Sequence, residues 1–123
     1  MPKKTILVVD DDADLLKMLK LRLEAEGYIF MGAQDGEEML MAIKIKRPDV
    51  ILLDIMLPKK DGYTALREMR SEDLYKDIPV IILTAKEKKK VEDLFALEGV
   101  VSFVEKPYDT GELLRKIRSI FNG

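Results

Sequence analysis

The sequence predicts an α/β fold: a doubly wound, five-stranded parallel sheet built from five β-α units. Three observations carry this. Short runs that are apolar or β-branched at nearly every position recur along the chain, as strands covered on both faces require. Longer segments with apolar residues at helical spacing alternate with them. No long linker or low-complexity stretch interrupts the alternation, and strand-helix-strand units within one sheet are parallel.

The first strand is Thr5–Val9 (TILVV). Ala13–Glu26 follows as a helix with Leu16, Leu19 and Leu23 on one face, and Gly27 ends it. Tyr28–Ala33 is the second strand, expected at an edge. Asp35 is the N-cap of a helix running to about Lys46, with Glu38 three residues on as in a capping box, and Pro48 stops it. Val50–Leu53 is the third strand. Gly62–Arg70 is a helix with Leu66 and Met69 on one face. Pro79 introduces the fourth strand, VIIL. Lys88–Glu98 is a helix with Val91, Leu94 and Phe95 inward, and Val100–Val104 is the fifth strand. Asp109 caps the last helix, which carries Glu112 three residues on and Leu113, Leu114, Ile117 and Phe121 as its apolar residues.

With 123 residues, 1–123 is expected to be one domain. Lysine and arginine number 21 against 23 acidic residues, a formal charge of −2. That balance offers nothing to nucleic acid or to an anionic membrane. Cysteine and histidine are both absent, which excludes disulfides, thiol chemistry, a histidine proton shuttle and histidine or thiolate metal ligands on this chain. No apolar run is long enough to span a bilayer, and MPKKTILVVDDD turns acidic too early for a signal peptide, so the cytoplasm is the expected location.

The chemistry lies at the strand ends, because sheets of this kind bind ligands beyond the carboxyl ends of their strands. Asp10, Asp11 and Asp12 follow the first strand, Asp54 the third, Thr84 and Ala85 the fourth, and Glu105, Lys106 and Pro107 the fifth. Asp54 closes the most apolar strand of the chain, where a lone buried carboxylate is costly. Carboxylates gathered from two strands repel unless one is protonated or a cation joins them. Oxygen ligands alone favour Mg2+ or Mn2+. With Lys106 and Thr84 left to hold an anion, the set makes a phosphoryl site: metal, ammonium, hydroxyl and a carboxylate nucleophile.

ILVVDDD, LLDIMLPKKDG, VIILTA and SFVEKPYD occur in the order and spacing of response-regulator receiver domains of two-component signalling, and the resemblance runs from about Lys4 to Phe121. It implies the flavodoxin-like strand order 2-1-3-4-5 and a single receiver similar to the chemotaxis regulators. Asp54 resembles the phosphoacceptor. Asp10 and Asp11 resemble the acidic pair, Asp11 binding Mg2+ directly and Asp10 acting through water, with Asp54 and the Met56 carbonyl completing the metal set. Thr84 resembles the switch hydroxyl, Phe103 the switch aromatic and Lys106 the phosphate-binding lysine. A cis bond before Pro107 is implied, and Ala85 matches the small residue that keeps the site open. The implied partners are a sensor histidine kinase or phosphotransfer protein and an output protein, on a monomer that could dimerise when phosphorylated. Val100 and Val101 depart from the Ala-Asp common in the family, and Phe103 lacks the hydroxyl of the Tyr often found there.

Other readings compete. In a haloacid-dehalogenase-type phosphatase Asp10 would be the nucleophile and Asp12 the acid, but that class needs acids after its fourth strand, where this chain has TAKEKKK. A flavin site wants hydroxyls and glycine where three aspartates stand. An EF-hand over Asp10, Asp12 and Asp14 fails because Leu15 replaces the necessary glycine. A pseudo-receiver scaffold keeps the fold without the switch. One of the acidic run, Asp12 first, is expected to cap the first helix. Lys86–Lys90 (KEKKK) is a solvated helix start or a docking patch.

Overall fold

The structure, a computed structural model, describes residues 2–54, 61–84, 100–106 and 109–122. The predicted helix Lys88–Glu98, the KEKKK run, Met56, Ala85 and Pro107 lie outside the described residues.

The described elements are β1 (Thr5–Val9), α1 (Ala13–Ala25), β2 (Ile29–Ala33), α2 (Gly36–Ile45), β3 (Val50–Asp54), α3 (Gly62–Arg70), β4 (Val80–Thr84), β5 (Val100–Glu105) and a C-terminal helix (Thr110–Asn122). All strand pairs are parallel, and the sheet order is β2-β1-β3-β4-β5. The connections therefore reverse direction at the β1–β3 boundary, where the crevice of a doubly wound sheet opens.

The period of two along each strand divides the core into two layers. Leu7, Val9, Ile51, Leu53, Val80 and Ile82 face α2 and α3 and pack with Met39, Ile43, Ala65, Leu66 and Met69. Ile6, Val8, Val50, Leu52, Ile81 and Leu83 face α1 and the C-terminal helix and pack with Leu19, Leu23, Leu113, Leu114 and Ile117. Both faces of the central strands are covered, which is why β1 and β3 have no polar residue before their ends except Thr5. β2, at an edge, is only partly buried apart from Ala33.

Local signals set the helix ends. The Asp12 carboxylate accepts from the N–H groups of Asp14 and Leu15 and caps α1. Gly27, at φ 89°, supplies the left-handed turn after α1 that a side chain would strain. Asp35 caps α2 by accepting from Glu38 N–H. The Glu38 carboxylate reaches back to Gln34 N–H, one residue earlier than a capping box places it. Asp109 accepts from Gly111 N–H at 2.7 Å at the head of the C-terminal helix. β3 runs one residue further than the sequence predicts, through Asp54, because Asp54 pairs with Leu83 of β4.

Candidate functional site: an acidic crevice bridged by one lysine

β1 and β3 are neighbours in register, with Val9 opposite Leu53. The next residue on each strand is Asp10 and Asp54, so the sheet itself sets these carboxylates side by side. The backbone N–H of Asp10 still donates to Ala33 of β2, at 3.0 Å, which holds Asp10 rigidly at the strand end. Asp10 is fully buried and Asp54 nearly so.

Neither charge is left alone. Lys106 follows Glu105, which lies opposite Thr84 at the end of β4. Its Nζ donates to Asp10 Oδ2 at 2.7 Å and to Asp54 Oδ2 at 2.9 Å. The other Asp10 oxygen, Oδ1, accepts from Asp12 N–H at 2.9 Å. Burial works against the Lys106 ammonium, but its hydrogen bonds to Asp10 and Asp54, reinforced by their charges, outweigh this and hold its pKa above the ordinary lysine value. Lys106 is thus firmly cationic at neutral pH.

Asp11 is exposed, and one carboxylate oxygen from each of Asp10, Asp11 and Asp54 lies within 4.8 Å of the other two. These donors are oxygen only, so the group fits a hard cation such as Mg2+.

Of the sequence-predicted residues, the fold brings together Asp10, Asp11, Asp54 and Lys106. Thr84 closes β4 beside them in the sheet, and its side chain lies outside what the structure describes. Phe103 is half-buried and packs against the core layer on the α2 and α3 side. Met56 lies outside the described residues. Asp12 is engaged in capping α1, which disfavours it as the acid of a dehalogenase-type phosphatase. Sequence reasoning missed Lys116, whose Nζ donates to the Phe103 carbonyl at 2.9 Å. The only available cue was its place beside the buried stripe of Leu113 and Ile117.

The response regulator receiver domain family matches residues 6–118. This chain belongs to that family. It is 41% identical over 122 residues to the "Probable transcriptional regulator ycf27" of Porphyridium aerugineum, covering 98% of this chain and 49% of that protein. It is 36% identical over 118 residues to the alkaline phosphatase synthesis transcriptional regulatory protein PhoP of Bacillus subtilis, covering 95% of this chain and 48% of PhoP. The chain therefore spans about half the length of the curated relatives it matches. Among solved structures, a response regulator of Chloroflexus aurantiacus superposes with a TM-score of 0.90 at 33% identity, over 99% of this chain and 100% of that one. The chemotaxis protein CheY4 of Vibrio cholerae superposes with a TM-score of 0.90 at 26% identity, over 97% of this chain and 99% of that one. Receiver domains are regulatory rather than enzymes in the ordinary sense, and they bind Mg2+ through an acidic pocket of the kind formed by Asp10, Asp11 and Asp54. No helix among the described residues is long and apolar enough to cross a membrane.

Proposed function

We propose that residues 1–123 form one receiver domain that works as a phosphorylation switch in the cytoplasm, with Asp54 as the acceptor. The observation that supports this most is the Lys106 ammonium shared between Asp10 and Asp54, beside the oxygen-only group of Asp10, Asp11 and Asp54. The donor is the phosphohistidine of a sensor kinase or phosphotransfer protein. An Asp54 carboxylate oxygen attacks phosphorus; the donor N–P bond breaks, its electron pair returns to the imidazole nitrogen, and an acyl phosphate forms. Asp10, Asp11, Asp54 and the Met56 carbonyl would hold Mg2+, or Mn2+ in its place, which supplies neutralisation of the phosphoryl oxygens. In support of this role, Asp54 closes β3 in register with Leu83 of β4, and Lys106 Nζ donates to its Oδ2 at 2.9 Å.

Once Asp54 carries a phosphoryl dianion, Lys106 exchanges carboxylate oxygens for phosphoryl oxygens. The Thr84 hydroxyl is drawn to the same group, and Phe103 turns into the space it leaves. This biases a two-state equilibrium on the surface of segment 88–98, β5 and the C-terminal helix, which an output partner reads. The domain's own chemistry is confined to accepting the phosphoryl group and slowly hydrolysing it.

The test is intact mass after incubation with acetyl phosphate, with and without Mg2+, on the wild type and on Asp54→Asn. One added phosphoryl group, dependent on Mg2+ and absent from the variant, is expected. Labelling that persists in Asp54→Asn overturns the acceptor assignment, and no labelling of the wild type overturns the switch.

A further inference from the structure

β5 is an edge strand, held by pairing on one side only. That pairing is broken near its start. Val80 lies opposite Val100, yet Ile81 lies opposite Ser102, so Val101 is left out as a bulged residue and is 54% exposed. The residues that need exact placement come after the break. Lys106 Nζ must meet two separate oxygens at 2.7 and 2.9 Å, and a displacement of about 1 Å would forfeit both hydrogen bonds.

A second restraint lies between the bulge and Lys106. From the C-terminal helix, Lys116 Nζ donates to the Phe103 carbonyl at 2.9 Å. The helix is itself fixed, since Leu113, Leu114 and Ile117 are buried in the core layer that contains Val104 of β5. The Lys116 side chain is only 29% exposed, so this charge-assisted bond is poorly screened by solvent. Glu112, one helical turn earlier, stands 3.7 Å from the same ammonium with a half-exposed side chain, as an alternative partner.

We propose that Lys116 is a positioning residue for Lys106: it pins β5 downstream of the Val101 bulge and couples the C-terminal helix to the acidic crevice. Contact that draws the Lys116 ammonium away from the Phe103 carbonyl loosens the strand that carries both Phe103 and Lys106. The coupling to phosphorylation deepens the function proposed above and rests on it; the placement of Lys106 does not.

The experiment compares Lys116→Met and Lys116→Arg by carbon NMR of the Lys106 ε-carbon and the Asp10 and Asp54 carboxyl carbons, in metal-free, unphosphorylated protein. Lys116→Met should move these signals toward their solvent-exposed positions, and Lys116→Arg, which keeps a cationic donor, should restore them. If Lys116→Met does not fold, Lys116→Leu, which also lacks a donor, is read in the same way. Signals at wild-type positions in the neutral variant, or equal displacement in the neutral and Arg variants, overturn the proposal. A double-mutant cycle then reads the rate of labelling by acetyl phosphate. Lys116→Met should slow the wild type about tenfold, the factor for one lost charge-assisted bond, and Lys106→Ala by no more than about twofold. Equal slowing in both backgrounds refutes action through Lys106. A wild type that takes no label removes the phosphoacceptor reading, while the carbon signals still decide the positioning.

Discussion

Replacing Lys106 with methionine isolates what the shared ammonium contributes to the fold. The stem is kept and the charge is lost. In the wild type that charge meets two carboxylates at 2.7 and 2.9 Å, one fully buried and the other 5% exposed. Removing one partner of a buried ion pair costs roughly 3–5 kcal/mol, because it strands the opposite charge. Two features reduce this. Lys106 itself is 24% exposed, so water can replace part of its role, and Asp10 keeps the hydrogen bond from Asp12 N–H. A loss of about 2–3 kcal/mol at neutral pH without metal is expected, or roughly 10 °C in melting midpoint for a domain of this size. Added metal should shrink it. Millimolar Mg2+ should raise the midpoint of Lys106→Met more than that of the wild type, since the variant lacks the ammonium that competes with the ion for the Asp10 and Asp54 oxygens. Thermal melts by circular dichroism, with chelator or with Mg2+, read all of this. A metal-free midpoint within about 2 °C of wild type at neutral pH would refute the reasoning.

Asp11→Asn removes one of three clustered like charges while leaving the Lys106 pair intact. Its metal-free melting midpoint should rise by a few degrees and its Mg2+ affinity should fall; an unchanged or lower midpoint counts against charge repulsion in the crevice. Asp12→Ala should cost about 1 kcal/mol by uncapping α1, seen as a lower denaturation midpoint, and phosphoryl labelling should survive. Loss of labelling in a folded Asp12→Ala protein would restore a chemical role for Asp12. Burial raises the pKa of the Tyr28 phenol, with Arg118 opposing and Glu26 adding. A raised folded-state value means its contribution to stability is complete below the unfolded value of about 10 and is lost as pH climbs through the folded one. Ultraviolet titration of native wild type against Tyr28→Phe should show the missing phenolate step above pH 10, and a step at or below about 10 would contradict it.

The elements of this chain were legible in the sequence because each is specified by neighbours. β1 and β3 are apolar at successive positions because both faces are covered, and α3 shows Leu66 and Met69 on its buried side. Asp12, Asp35 and Gly27 act within a few residues of themselves, so type and spacing were enough to place the helix ends. The candidate site was legible as a set, since Asp10, Asp54, Thr84 and Lys106 each sit at a strand end and such ends converge in a parallel sheet.

Which groups in that set touch was decided only by tertiary structure. Lys106 is 96 residues from Asp10 and 52 from Asp54, and no local pattern states that one ammonium serves both. The division of labour in the acidic run was equally hidden. Asp10, Asp11 and Asp12 are consecutive and chemically identical, yet one is buried in the pair, one faces solvent and one caps a helix. The three lie in the turn between β1 and α1, and the surrounding elements fix each role: Lys106 meets Asp10, and the head of α1 takes Asp12. The Val101 bulge and the Lys116 bond to Phe103 belong to the same class, because both follow from the register of β4 against β5 and from where the C-terminal helix docks. Sequence patterns encode periodicity and caps, which are local; register and long-range charge pairing emerge only when the layers pack.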